Sequence, residues 1–285
     1  MKVPGILPLL ISLGVLAVIF AALERIAGAL PRKSLFRRER VVDFVYWFFT
    51  PWVSKTAATI AVFLLLFGNV SAPGPTESRQ YTQFVELLIL GDLLGYASHR
   101  LFHSRWLWKF HAIHHSAEDV DWLAATRLHP VNEIGTRVMQ VVPLYLLGFR
   151  GKPLAAAVPI LAFYAIFLHA NLRWDFGPLR YIIASPAFHR WHHTSQEEGL
   201  DRNFAGLFPW IDALFGTLYM PRGRQPERFG VVGENVPKSL LGQLAYPFRS
   251  SWGTGASPVR TGVGACPPPS SPAVSPELRS AVAEK

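Results

Sequence analysis

All ten histidines of this 285-residue chain fall between positions 99 and 193, and eight of them form three tight clusters. His99 and His103 stand in HRLFH; His111, His114 and His115 in HAIHH; His189, His192 and His193 in HRWHH. His129, in RLHP, and His169, in FLHAN, are single. Imidazole is the commonest protein ligand for redox-capable transition metals. On a helix, residues three and four apart share a face, so each cluster is expected to point its rings at a common centre. The clusters together offer more nitrogens than one metal accepts, which predicts two metals side by side. Any fold for this chain has to bring them together.

The apolar runs predict where that happens. Half the residues are hydrophobic and only 16% are charged. Val3 to Leu23 carries no charge over 21 residues, enough to cross a hydrocarbon core of about 30 Å. Thr56 to Ser71 is a second uncharged run, and Phe84 to Ser98 a third apolar run, interrupted at Glu86 and Asp92. Val138 to Phe149 and Pro153 to Leu172 follow as a helical hairpin, short or partly re-entrant because its first arm covers only about 18 Å. The fold class expected is all-α, an integral-membrane helical bundle with a histidine-rich di-metal site at its cytoplasmic face. The basic residues after the first run, between Arg32 and Arg40, place that segment in the cytoplasm by the positive-inside rule. Counting spans from there puts every histidine on the same side.

The expected organisation is an N-terminal membrane anchor over 1–80, two spans with a basic and an aromatic interfacial segment between them. A catalytic membrane domain follows over 81–222, then a peripheral segment over 223–250 and a disordered Pro/Ser/Gly/Ala-rich tail over 251–285. Residues 1–30 are expected to be a retained anchor, since the apolar run exceeds a usual signal-peptide core. Residues 205–220 are expected to form an interfacial helix. The net charge of +9 follows the positive-inside pattern and shows no aromatic-interleaved basic groove, so no nucleic-acid partner is expected. The single cysteine, Cys266, excludes an intrachain disulfide.

Supporting residues are predicted around the histidines. Asp92 lies seven residues before His99, on nearly the same helix face, and a carboxylate in a membrane span marks function. Its expected partner is an imidazole N–H of the first cluster, which would fix the tautomer of that ring. Asn171, Asp175, Asp201 and Asn203 are further candidates of this kind. An all-nitrogen site suits iron, zinc or copper. Zinc takes four ligands or fewer, whereas two irons at five ligands each would use the whole histidine set, with zinc as a substitute metal.

These motifs, in this order, resemble the sterol desaturase / fatty acid hydroxylase superfamily of integral-membrane, non-haem di-iron oxygenases. The resemblance spans roughly 84–220 and rests on HRLFH (99–103), HAIHHS (111–116), TRLHP (126–130), HAN (169–171), SPAFHRWHH (185–193) and DRNFAG (201–206). Phe204-Ala205-Gly206 departs by one inserted residue from the aromatic–glycine pair of relatives. The resemblance implies that His99, His103, His111, His114, His115, His169, His189, His192 and His193 bind two iron ions. His129 is the tenth candidate ligand, with lining the cytoplasmic approach or hydrogen-bonding a ligand as alternatives, and Arg127 and Glu133 belong to the same structural block. It further implies dioxygen as co-substrate and a membrane lipid, such as a fatty acyl chain or sterol, as the molecule hydroxylated or desaturated. The electron donor it implies is a separate cytochrome b5, ferredoxin or flavin reductase. A bacterial inner membrane is favoured over the endoplasmic reticulum. The competing classes are a membrane metal-binding or metal-transport protein and a bis-histidine haem carrier. A transporter is expected to put its ligands mid-membrane within inverted repeats, and adjacent His-His pairs fit a haem poorly.

Overall fold

The computed structural model describes residues 5–31, 38–67, 79–149 and 152–249. The basic residues 32–37, the 71–76 loop and the tail from 251, with Cys266, lie outside them. Among the described residues the chain is helical, with two isolated backbone bridges and no strand.

Five long helices make the frame: α1 (Ile6–Ala27), α2 (Arg38–Phe67), α3 (Arg79–Phe102), α5 (Pro130–Leu146) and α6 (Lys152–His169). Four short ones carry or brace the site: α4 (Trp108–His115), α7 (Pro186–His192), α8 (Pro209–Leu214) and α9 (Leu240–Ala245). α5 packs on both α2 and α3, and α6 packs on α3 and α7. Two expected boundaries differ. The aromatic run at 46–52 is no separate interfacial helix but the middle of α2, which continues through Pro51. The hairpin arm expected at 138 begins at Pro130, because Pro130 at the first helical position is a favoured start and the His129 ring caps the Val131 N–H. Residues 205–220 hold only the six residues of α8, begun by Pro209.

α1 is the one described helix long and apolar enough to cross a membrane on its own composition. Ile6, Leu7, Ile11, Val15, Val18 and Ile26 on it are exposed. The other expected spans start or end in polar turns, such as Arg79 and Gln80 in α3 or Asn132, Glu133 and Arg137 in α5. α1 is nonetheless tied to the body. Phe20 stacks on Trp122 at 5.5 Å, and the Trp47 indole donates to Leu9 O at 3.0 Å. Asn171, just after α6, clasps the end of α1: its Oδ1 accepts from Leu30 N at 3.1 Å, its Nδ2 donates to Leu30 O at 3.0 Å, and its backbone N–H donates to the buried Glu24.

Candidate metal centre

Nine of the ten histidines converge. His99, His103, His111, His115 and His192 form one set, and His114, His169, His189 and His193 another, the ligand atoms in each lying within 4.8 Å of one another. Eight of the nine are buried, His99 being the half-buried one. The two sets share a wall, where the rings of His115 and His193 stack with centroids 4.5 Å apart.

The triplets do not each serve one centre, as their spacing was expected to make them do. α4 sends His111 and His115 to the first set and His114 to the second; α7 and the residue that ends it send His189 and His193 to the second and His192 to the first. The cause is the pitch. At 3.6 residues per turn, i and i+4 differ by about 40°, while i+3 falls about 60° to the other side of i. Each H-x2-H-H therefore straddles both sites. The division is five and four, not five and five.

α7 starts where it does because Ser185 Oγ accepts from Phe188 N at 3.2 Å and Pro186 occupies the first position. His99 and His103 come from the last turn of α3 and the residue after it, and His169 from the last residue of α6.

The hydrogen bonds decide what these rings can hold. Six of them donate Nδ1–H outward: His99 to Phe204 O at 2.8 Å, His103 to Asp201 Oδ1 at 3.0 Å, His111 to Asn132 Oδ1 at 2.6 Å, His114 to Arg127 O at 3.2 Å, His169 to Ala165 O at 2.7 Å and His192 to Arg202 O at 2.8 Å. A neutral imidazole with its proton on Nδ1 has a bare lone pair on Nε2. Yet Nε2 of His99 faces Nε2 of His111 at 3.1 Å, and Nε2 of His169 faces Nε2 of His114 at 3.1 Å. Two lone pairs at that distance repel unless a cation lies between them. The Nε2 atoms of His103, His115 and His192 are buried with no hydrogen-bond partner. In the second set Nε2 of His169 is also 3.1 Å from Nε2 of His189 and of His193. Four nitrogens about a metal at 2.0–2.1 Å would stand about 3.3 Å apart. The donor set fits a pair of divalent transition metals.

Protonation does not compete near neutrality. Burial pushes the imidazoles of His103, His111, His114, His115, His189, His192 and His193 well below the usual histidine value, and neighbouring rings add repulsion against a second proton. Around them stand Trp108, 5.1 Å from His103, and Phe204, 4.9 Å from it, which keep water from the rings.

The other expected site residues divide. Asp201 meets an imidazole of the first set, its Oδ1 accepting from Nδ1 of His103. Burial raises its carboxyl to about 6, and its backbone takes a left-handed φ of 55° to reach the ring. Asp92 touches no imidazole, contrary to expectation. Its carboxylate instead accepts backbone N–H groups from Gly206 at 2.8 Å, Leu207 at 3.0 Å and Phe208 at 2.7 Å. Asp212 holds the N–H groups of Phe204 and Ala205 in the same way. Together they fix the loop whose Phe204 carbonyl takes the His99 proton. A Cβ on Gly206 would come within 3.2 Å of Asp92 Oδ1, a tight approach at the point where that carboxylate holds the loop. Asn203 braces the same loop, bonding Phe188 O at 2.9 Å and Tyr219 N at 2.7 Å. Asn171 belongs to the α1 clasp, and Asp175 pairs with Arg180 at 3.1 Å; neither meets a ligand ring.

His129 stands outside both sets. Its Nδ1 accepts from Val131 N and its Nε2 donates to Leu244 O, each at 3.2 Å, so both ring nitrogens are engaged, one capping α5 and the other tying it to α9. Arg127 and Glu133 of that block are structural: Arg127 pairs with Asp43 at 2.6 Å, both 2% exposed, and Glu133 takes Arg137 and Ser54. Asn132 was not expected. Its position three residues after His129, on the first turn of α5, was the available signal. Replacing Asn132 by alanine frees the His111 ring and is expected to weaken metal binding by ~10–100-fold with the helices intact, read by chelator competition and circular dichroism. Asp92→Asn strands at least one backbone N–H, an expected loss of about 1–3 kcal/mol, read as a lower thermal midpoint accompanied by weaker metal retention.

The fatty acid hydroxylase family model matches residues 84–217. Among curated proteins the chain is 33% identical over 176 residues to ornithine lipid hydroxylase OlsE of Rhizobium tropici, covering 61% of this chain and 53% of that protein. It is 32% identical over 137 residues to human alkylglycerol monooxygenase, covering 44% and 28%. It is 24% identical over 235 residues to methylsterol monooxygenase 1-1 of Arabidopsis thaliana, covering 73% and 74%. The chain thus spans about half of the bacterial relative and less of the alkylglycerol enzyme. No solved structure matches it. The family model covers the same stretch that carries all ten histidines, so residues 84–217 are a domain of the fatty acid hydroxylase family.

Proposed function

We propose that this protein is a dioxygen-dependent, integral-membrane monooxygenase that hydroxylates a C–H bond of a membrane lipid, with two irons held by the two histidine sets. The observation that carries the reading is the facing of buried, proton-free Nε2 atoms in two adjacent sets. Iron and dioxygen would supply an oxidant strong enough for an unactivated C–H bond. The chain's own residues do the rest. Asp201, Asn132 and the carbonyls of Phe204, Arg127, Ala165 and Arg202 hold the ring protons outward. Trp108 and Phe204 exclude water, which protects such a reaction from side products. Exposed apolar side chains on α1, α2 and α3, such as Val18, Phe44 and Ile89, suit a bilayer, from which a lipid carbon reaches the centre without crossing water. The relatives' names, an ornithine lipid hydroxylase, alkylglycerol monooxygenases and a methylsterol monooxygenase, support a lipid substrate and hydroxylation over desaturation. A bacterial inner membrane, a cytoplasmic centre and a separate electron-donor protein complete the proposal.

Elemental analysis of protein purified under low oxygen, beside His192→Ala, tests it. About two irons per chain, with loss in the variant, is the expected result. Zinc alone calls for iron reconstitution, and no bound metal after reconstitution overturns the reading.

A further inference from the structure

Away from the imidazoles, the start of α2, the stretch 116–127 and the segment 229–243 enclose a second concave site, a cavity of about 220 Å³. No histidine lines it, but it adjoins the centre: Ser116 follows His115, and Arg127, whose carbonyl takes the His114 proton, lines the wall. The guanidinium of Arg127 is spent on Asp43 and on Ser116 Oγ, at 2.6 and 3.2 Å. That leaves three lining carboxylates, Glu39, Glu118 and Glu234, against one lining ammonium, Lys238.

Among the lining residues, the buried side-chain atoms without a hydrogen-bond partner are all acceptors. Glu39 Oε2, Glu234 Oε1 and Gln243 Oε1 are buried without a hydrogen-bond partner, and Gln243 is only 2% exposed. Buried acceptors left unpaired are unfavourable, and native proteins rarely keep three in one place. What satisfies them is a donor-only, positively charged group. A primary ammonium has three N–H donors and no acceptor. The chain itself places one at the edge of the cavity: Lys238 Nζ lies 3.0 Å from both Glu39 Oε1 and Glu118 Oε1 and is half exposed. The volume is below that of pockets for drug-sized ligands and holds several waters, so it suits a small polar group and not a lipid chain.

We propose that this cavity binds a primary ammonium group, belonging either to an aminolipid headgroup or to a small free amine, with Glu39, Glu234 and Gln243 as its acceptors and Lys238 as an internal competitor. Only the lipid source rests on the oxygenase reading.

The test uses the full-length, metal-loaded protein in nanodiscs of phosphatidylcholine, whose headgroup has no N–H. Phosphatidylethanolamine is added to the discs in one arm and free ethanolamine to the solution in the other, with binding followed by thermal midpoint and calorimetry. Binding is expected to fall by about tenfold or more in Glu39→Gln and in Gln243→Leu, and to strengthen in Lys238→Met. The opposite sign of the Lys238 effect separates recognition from misfolding. Response to phosphatidylethanolamine alone assigns a headgroup site, and response to ethanolamine alone assigns a soluble-amine site and overturns the lipid source. No response in either arm, or variants that leave it unchanged, overturns the proposal. Iron content measured on the same samples keeps the two readings apart: two irons without amine binding sinks the cavity proposal alone, and amine binding without iron sinks the oxygenase reading alone.

Discussion

Replacing His169 by alanine is expected to lower bound iron from about two per chain to about one and to abolish lipid oxidation. His169 Nε2 lies 3.1 Å from Nε2 of each of the other three members of its set, so the four-histidine site loses its common vertex. The five-histidine site has no member on α6 and keeps its ligands. Residues that merely orient a ligand are worth ~10–100-fold in metal affinity, and a ligand from the smaller set is expected to exceed that. His129→Ala is the matched control. It removes a histidine from the same chain but only a helix cap, worth ~1 kcal/mol, and one hydrogen bond to Leu244 O, and is expected to retain both irons and activity. Iron counted alongside product in the two variants checks both expectations. Equal losses in both would mean that the sets are divided wrongly.

Arg127→Met is expected to destabilise the protein more than any change at a ligand. It leaves Asp43 charged, 2% exposed and without its guanidinium, and breaking a buried pair in this way costs about 3–5 kcal/mol. For a chain of this size that corresponds to a drop on the order of 10 °C in thermal midpoint. The same side chain ties the 116–127 stretch to α2 through Ser116 and Glu39 O, so the carbonyl facing His114 should shift and the four-histidine site should bind metal more weakly. The double change Asp43→Leu with Arg127→Met removes both charges and is expected to recover most of the midpoint. Failure of the double variant to recover would mean that Arg127 acts through its other contacts.

Much of the centre was legible in the sequence because histidine spacing on helices is a local property. The same local geometry, taken through the helical pitch, also divides each triplet between two sites, since i+3 and i+4 lie about 100° apart. What sets the ring protons was less legible, because four of the six acceptors are backbone carbonyls that any residue supplies. Asp92 shows the limit well. Its depth in an apolar helix marked it as important, but its partners, the N–H groups of 206–208, come from a loop more than a hundred residues away. His129 failed as a ligand for the opposite reason: a local cap at the start of α5 engages the nitrogen a metal would need. The expected spans were read from uncharged runs, while the helices extend beyond them into polar turns.

The most direct measurement is the fate of dioxygen. Protein loaded with two irons, reduced and supplied with lipid extract under heavy-isotope dioxygen, is expected to yield a lipid carrying one labelled oxygen atom, with none in the His169→Ala sample. Oxygenated lipid labelled from water instead, or no oxidised lipid from protein shown to hold both irons, would contradict the assignment of this centre as a lipid monooxygenase.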